Sequence, residues 1–449
     1  MPVELVQDFA WVGILLLIGY FLRSKIRLFQ KLFIPASVLG GLVGLLLSKQ
    51  VLGRFCPFSI DLTPNIGSLA TVFLAIVFTT QFLGTKLNKG MAKHSATVFF
   101  LNSGIYSLQI LVGLAVVLFL MKSNPKVPFG MGMLPFTGWC GGHGMGAAVA
   151  PVLETEGVLD ANNLISLSNT FATIGMLFGV IFGIIVINIC ARKGLISSMA
   201  GLDSFSADEA KGFVPVKDRR GIVKNVTTND VMNPIAFHMA IIFAIMFFAY
   251  LLLGQIQKIP FFAQANILMT ALVVSLIAGF ITRRPSVSKY IEPESLNSIS
   301  GSALEFLIAS SVATTNLDII VSFGKEMVIL NVVIAIVTVA YVLVLGRLWH
   351  KKHWVEHSLA TFGMATGVVA TGFLLVRVAD PEGKTGAAAN FALGNIFSTL
   401  LVDMPLLIAF PPIMLASRSA GLGIPAAVCL ACTIGGFIFA GITRNVADE

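Results

Sequence analysis

Apolar residues gather in long runs near 9 to 22, 33 to 48, 66 to 85, 96 to 121, 161 to 190, 235 to 256, 262 to 281, 300 to 321, 327 to 348, 388 to 416 and 421 to 441. Runs of this kind suit helices of about twenty residues crossing about 30 Å of hydrocarbon. The pattern predicts an all-α polytopic membrane protein. The first run is short for a span unless its helix begins at Leu5.

Two more segments, 129 to 153 and 355 to 378, are apolar but interrupted by glycine, the first containing "TGWCGGHGMGAAVAP" from Thr137 to Pro151. They could cross the bilayer or dip in and return. If both return, most of the 30 Lys and Arg residues fall in inside loops: Arg23 to Lys31, Lys86 to Lys93, Arg192 to Lys224, Arg283 to Lys289, Arg347 to Lys352, Arg377 and Lys384. If both cross, most fall outside. The excess of basic residues in cytoplasmic loops favours two re-entrant segments.

This topology divides the chain into a first repeat (1 to 191), a charged cytoplasmic linker (192 to 233), a second repeat (234 to 416) and an extra C-terminal span with its tail (417 to 449). Each repeat has five spans, with its broken segment between the fourth and fifth. An odd number of spans starts the second half on the opposite face, so the fold expected is two inverted five-span repeats. Echoes support it. Thr79, Thr80 and Gln81 close the third span of one half, and Thr314, Thr315 and Asn316 that of the other; "GMGAAVA" from Gly144 parallels "GMATGVVA" from Gly363; Asn169 and Asn390 lie in the spans that follow.

Composition agrees. The 449 residues are 56% hydrophobic and only 12% charged, where soluble domains run near a quarter charged. The net charge of +8 lies mostly in short loops beside apolar runs, as topology signals do, and implies no nucleic-acid partner. Glu4 and Asp8 precede the first run and basic residues follow it, the reverse of a signal peptide, which places the N-terminus outside. Five cysteines without paired spacing are expected to be free thiols, and Cys429 and Cys432 read as small packing residues in an apolar run.

A helix can break within a membrane only where protein or a wet cavity covers the exposed backbone. Gly141, Gly142, Gly144 and Gly146 therefore predict a buried, partly hydrated site, and so, more weakly, do Gly363, Gly367 and Gly372. Glycine lets backbone approach a ligand, a half-helix start offers N–H groups to an anion, and freed carbonyls suit sodium. Tight helix crossing is the competing reading of these glycines. His143 reads as a neutral hydrogen-bonding group. His350, His353 and His357 have a spacing compatible with metal, but beside Lys351, Lys352, Trp349 and Trp354 they read as an interfacial belt. Glu305 and Asp403, deep in "SALEFLI" and "LLVDMPL", are candidates for ion ligation or span ends. Arg377 is either a carboxylate clamp or a loop anchor.

"GGHGMGAA" and "KLFIPASVLGGLVGLLL" from Lys31 resemble the bacterial sodium/glutamate symporter family over roughly residues 5 to 412. The resemblance implies a dimeric carrier in the bacterial inner membrane, C-terminus cytoplasmic, that moves an acidic amino acid with sodium and needs no organic cofactor. "TFGMATGVVATG" departs from the family's denser second loop by lacking its proline and by Ala365 in place of glycine. The expected function is sodium-coupled symport of glutamate or a related small anion. Backbone near Gly141 to Gly146 and Gly363 to Gly367, with Thr366, Asn169, Thr170, Asn390 and Arg377, would bind substrate; Thr79, Thr80, Thr314, Thr315, Asn316, Glu305 and Asp403 are the sodium candidates. A carrier of another carboxylate or amino acid is the alternative. A passive channel and an intramembrane enzyme are rivals, the enzyme disfavoured because no nucleophile–base spacing recurs.

Overall fold

The computed structural model describes residues 2–32, 34–60, 62–63, 65–84, 89–196, 231–259, 265–381, 383–417 and 423–447. Most of the expected linker over 192 to 233 lies outside the described residues. In chain order the main helices are α1 (Pro2–Lys25), α2 (Ala36–Leu47), α3 (Asn65–Thr80), α4 (Lys89–Ser123), α5 (Leu134–Trp139), α6 (Met145–Leu153), α7 (Ala161–Arg192), α8 (Pro234–Ile256), α9 (Ile267–Thr282), α10 (Pro293–Ala313), α11 (Gly324–Thr338), α12 (Trp354–Thr366), α13 (Val369–Ala379), α14 (Ala387–Ser398) and α15 (Gly423–Ala447). Among the described residues no strand forms; Ser48 and Ile60 make an isolated bridge.

Among the described residues seven stretches are long and apolar enough to cross a membrane: Val3–Lys25, Ser95–Ser123, Ala161–Arg192, Pro234–Ile256, Gly324–Trp349, Ala387–Ala416 and Pro425–Thr443. The first settles the short run at 9 to 22, since its helix reaches back to Pro2. Other apolar runs give shorter helices because polar residues and proline set their ends. Pro35 precedes α2. The Asn266 side chain accepts from Leu268 N–H at 3.1 Å and so starts α9 five residues inside its run. The run from 300 to 321 is cut at Thr314, beyond which Asn316 caps a separate short helix, Leu317–Ser322. Short polar side chains at these positions satisfy the first free N–H groups, which is why they set helix starts. Asp160 does the same for α7, accepting from Asn163 N–H at 2.9 Å.

Among the described residues two helices widen into π turns, Val339–Val344 after α11 and Thr399–Asp403 after α14. Such turns release carbonyls from the regular ladder and are frequent at functional sites.

The chain forms two compact units, each drawing on both halves of the sequence. One contains α1 to α3 and α8 to α10. Its core includes Val12, Ile66 and Ala309 in one cluster and Leu15, Ile60 and Ala313 in another. Small residues bring its helices together, since a Cβ on Gly41 would lie 2.6 Å from Val312 and one on Gly44 2.8 Å from Ala313. Its His238 is a satisfied core histidine, with Nδ1 on Pro234 O at 2.7 Å and Nε2 accepting from Glu292 N–H at 3.0 Å.

The other unit contains α4 to α7 and α11 to α15, with both broken segments. Trp139, Phe171 and Phe362 are fully buried there. The C-terminal α15 lies along α4, where Gly436 faces Phe100 O and the Gly104 backbone, Phe100 stacks on Phe439 with ring centroids 5.2 Å apart, and Thr97 and Thr443 share a hydrogen bond of 3.0 Å. The extra helix is thus an integral part of this unit.

Candidate functional site: the meeting of two broken hairpins

The first broken segment turns back on itself. Glu156 receives the N–H of Phe129 on Oε1 at 2.7 Å and that of Gly130 on Oε2 at 2.9 Å, which holds the two ends of the segment together. Between them α5 descends, the backbone loses its helix at Gly142, which has φ +71°, and α6 returns. An L-residue with a Cβ adopts that conformation at a cost of about 1–2 kcal/mol. The second segment is also a hairpin: a Cβ on Gly363 would lie 2.6 Å from Gly372 N, so α12 and α13 pack antiparallel around a break at Gly367 and Val368.

The two breaks meet. A Cβ on Gly142 would lie 2.6 Å from Val368 Cγ1 and 3.8 Å from Gly367 O. Cys140 donates to Gln109 Oε1 at 3.1 Å, and Gln109 Nε2 donates to Ala365 O at 2.9 Å and Thr338 Oγ1 at 3.1 Å. One carboxamide of α4 therefore joins both hairpins to α11. On the other side, Thr366 fits against α7 because Gly175 and Gly179 carry no side chain; a Cβ on Gly175 would lie 2.6 Å from Thr366 O. α6 and α13 both start at the breaks, and the start of a helix carries the positive end of its dipole.

His143 is buried and its Nε2 is 2.9 Å from Thr173 Oγ1. The single hydroxyl proton of Thr173 goes to Asn169 O at 3.0 Å. His143 is therefore the donor, through Nε2–H, which leaves Nδ1 as an acceptor on a neutral ring. The other glycines divide by role. Gly146 makes room for Ser168, whose hydroxyl pairs with Thr137 Oγ1 at 2.9 Å. Gly141 packs on Met145 and Thr137 of its own segment, and Gly144 is buried in the tight turn that leads into α6.

The remaining expected site residues scatter. Asn169 is buried on α7 in this region, while Thr170 is half-buried and donates to Ser166 O at 2.9 Å. Asn390 lies 3.3 Å from His357 Nε2. His357 is in the first turn of α12, about ten residues and so about 15 Å along the helix from the break. Arg377 is exposed in the last turn of α13. Thr79, Thr80, Thr314 and Thr315 belong to the other unit, where each hydroxyl donates to a carbonyl of its own helix: Ala75 (2.7 Å), Val77 (2.8 Å), Ser310 (3.0 Å) and Ser311 (3.2 Å) respectively. Glu305, also in that unit, is exposed and within electrostatic reach of Arg23. Asn316 gives its N–H to Ser166 Oγ at 3.0 Å and its Nδ2 to Asn163 Oδ1 at 2.9 Å, at the start of α7. Asp403 is the expected sodium ligand drawn into the region of the breaks: it closes a π turn and lies within electrostatic reach of Tyr106 and Cys140.

The histidines read as a surface belt are partly interior. Lys351, Lys352 and His353 are exposed, but His350, Glu356 and His357 are buried. Among the described residues no group of three or more His, Cys, Asp or Glu side chains is placed to hold a metal ion. All five cysteines are free. Gln109, Thr338, Ser168 and Thr173 join the site without having been singled out in the sequence; a lone carboxamide inside "YSLQILVGL" was the available signal for Gln109.

The long apolar helices of the described residues and the two broken hairpins that meet define a multi-pass membrane protein of the transporter class. The chain belongs to the sodium/glutamate symporter family, whose model matches residues 1–353. The match takes in the first broken segment and stops one residue before α12, short of the 5 to 412 suggested by the sequence resemblance. Among curated proteins, none matches the chain.

Proposed function

We propose that the protein is a sodium-coupled symporter of glutamate or a related small carboxylate, working by alternating access, with its substrate held where the two hairpins meet. The observation that carries the reading is the approach of Gly142 to Gly367 and Val368, which puts two helix breaks and two half-helix starts at one point. Paired broken helices of this kind suit a midplane site in which half-helix starts take a carboxylate and freed carbonyls take sodium. Family membership supports sodium as the co-transported ion and glutamate as the reference substrate. His143 Nδ1 and Asn169 are the side chains best positioned to orient the substrate, and Asp403, with the carbonyls freed by its π turn, is the candidate sodium ligand. The hairpins are re-entrant from opposite faces and the two halves are inverted repeats, each giving three helices to one unit and the rest to the other. The protein works as a homodimer in a bacterial inner membrane, N-terminus outside and C-terminus cytoplasmic.

Among the described residues no lysine or arginine is buried. A carboxylate at the breaks would then be met by backbone and neutral groups, which favours including monocarboxylates and neutral amino acids beside glutamate in the test. That test is uptake of labelled compounds by purified protein in liposomes, with and without an inward sodium gradient. Sodium-dependent accumulation is expected. Accumulation indifferent to sodium removes the coupling, and flux that only runs downhill makes the protein a channel.

A further inference from the structure

The buried side-chain polar atoms without a hydrogen-bond partner in the unit of the hairpins include Ser107 Oγ, Tyr341 Oη, His350 Nε2, Ser358 Oγ and Thr361 Oγ1. Each of these residues is at most 5% exposed. They are not scattered. On α12, Ser358, Thr361 and Ala365 follow one another at helical spacing on one side, and Ala365 O is the carbonyl that receives Gln109 at the breaks. Ser358 fits against Gly346 of the short helix Gly346–Trp349, and His350, just past that helix, lies with its ring 4.6 Å from that of His357 on α12. The hydroxyl of Tyr341, in the π turn, occupies the space left by Gly104 of α4, and Ser107 is one turn further along α4. Ser358, Thr361 and the His350–His357 pair thus trace a polar seam along α12 from the breaks to His350. Native proteins rarely leave buried donors and acceptors bare, and a polar seam of this kind is where internal water is held.

We propose that this seam holds a file of water and conducts a proton between the hairpin breaks and the His350–His357 pair, which adds a protonation step to the transport cycle; the inference rests on the symport reading above. The proton arrives as hydronium and adds to Nε2 of His350, whose Nδ1 proton is then released to the next acceptor, so only N–H and O–H bonds are exchanged. A relay of this kind needs a ring that is neutral at rest. Burial, and after it the neighbouring His357, hold His350 well below the usual histidine range. The elements packed against the short helix bring His353, Glu356 and His357 with α12, Tyr341 of the π turn, and Cys429 and Cys432 of α15, while Arg347, Lys351 and Lys352 stand on the His350 stretch itself. The acid nearest in sequence, Glu356, is buried, and Arg347, Lys351 and Lys352 are exposed.

Two measurements test this on the full-length protein in liposomes. Ser358→Cys, Thr361→Cys and the apolar neighbour Leu359→Cys are treated with a small water-borne thiol reagent, and modification is read residue by residue by mass spectrometry. Positions 358 and 361 should be modified and 359 spared. If 361 is spared as fully as 359, the seam is dry and the proposal fails whatever the protein carries. Liposomes loaded with a pH-sensitive dye should then show protons moving with sodium-driven uptake, and Thr361→Val should cut that movement at least fivefold per substrate carried. Uptake without proton movement overturns the seam and leaves the symport reading intact. If no compound in the panel is taken up, the symport reading fails, and the seam stands or falls on whether an imposed potential drives proton flux in the wild type and not in Thr361→Val.

Discussion

Gly142 and Val368 face each other across the point where both hairpins lose their helices, and a Cβ on Gly142 would come within 2.6 Å of Val368 Cγ1. Two penalties therefore fall on any substitution of Gly142: the clash with Val368 and the positive φ. Gly142→Val should abolish uptake while the protein still inserts and purifies. Gly142→Ala with Val368→Ala should recover part of the activity lost in Gly142→Ala alone, since only the clash is relieved and the φ cost of about 1–2 kcal/mol remains. Equal activities in the single and double variants would disprove the contact.

Glu156 closes the first hairpin through two backbone donors. Hydrogen bonds to a charged group contribute about 1.5–3 kcal/mol each. Glu156→Ala should lower the melting temperature in detergent and reduce uptake, with Glu156→Gln between it and the wild type because one acceptor oxygen survives. Unchanged melting in Glu156→Ala would mean that the hairpin is held by packing alone.

Gln109 touches α11 and both hairpins. Gln109→Leu leaves Ala365 O and Thr338 short of a buried partner, a loss of about 1–3 kcal/mol, which corresponds to about 5- to 150-fold in a coupled equilibrium. The expected result is a matching fall in apparent substrate affinity. A variant that transports with wild-type affinity would remove Gln109 from the site.

Asp403→Asn should raise the sodium concentration needed for half-maximal uptake at least tenfold while substrate binding at saturating sodium persists. Sodium dependence unaltered by the change assigns the ion to other ligands.

Asp380 lies in the loop after α13. Burial pushes its carboxyl up, but the hydroxyl and N–H of Thr385, the N–H of Lys384 and the charge of His353 outweigh this and hold it below the ordinary range. A depressed carboxylate contributes stability that is present above its unfolded value of about 3.9 and is lost as pH falls through the lower folded value. Melting temperature should therefore drop below about pH 4, and Asp380→Asn should flatten that acid limb. A limb of the same steepness in the variant would trace acid lability to other carboxylates.

Much of this was legible in the sequence, for physical reasons. Apolar runs and polar caps located most helices, and a nearly continuous glycine run announced the first break because no membrane helix tolerates one without cover. The pairing of Thr79 and Thr80 with Thr314 and Thr315 read as ligand chemistry, whereas the shared feature is that each pair sits at a helix end and bonds to its own carbonyls. Asn390 was matched to Asn169 by order along the chain, and order does not reveal that it meets the first turn of α12 and not its last. Interior histidines between lysines and tryptophans look like a belt, because burial at the base of a hairpin depends on contacts distant in sequence. Gln109 and Thr338 are single polar residues in apolar helices, and only the fold brings them to one carbonyl.

The chain passes from one compact unit to the other between Thr315 and Asn316. Thr315 offers its carbonyl to Gln50 at 2.9 Å in the first unit, and the very next residue is fastened to Ser166 and Asn163 in the second. Neighbouring links of the backbone are thus moored to different bodies. A proline at Asn316 removes the N–H that Ser166 accepts and the side chain that holds Asn163, and should slow uptake by loosening the start of α7.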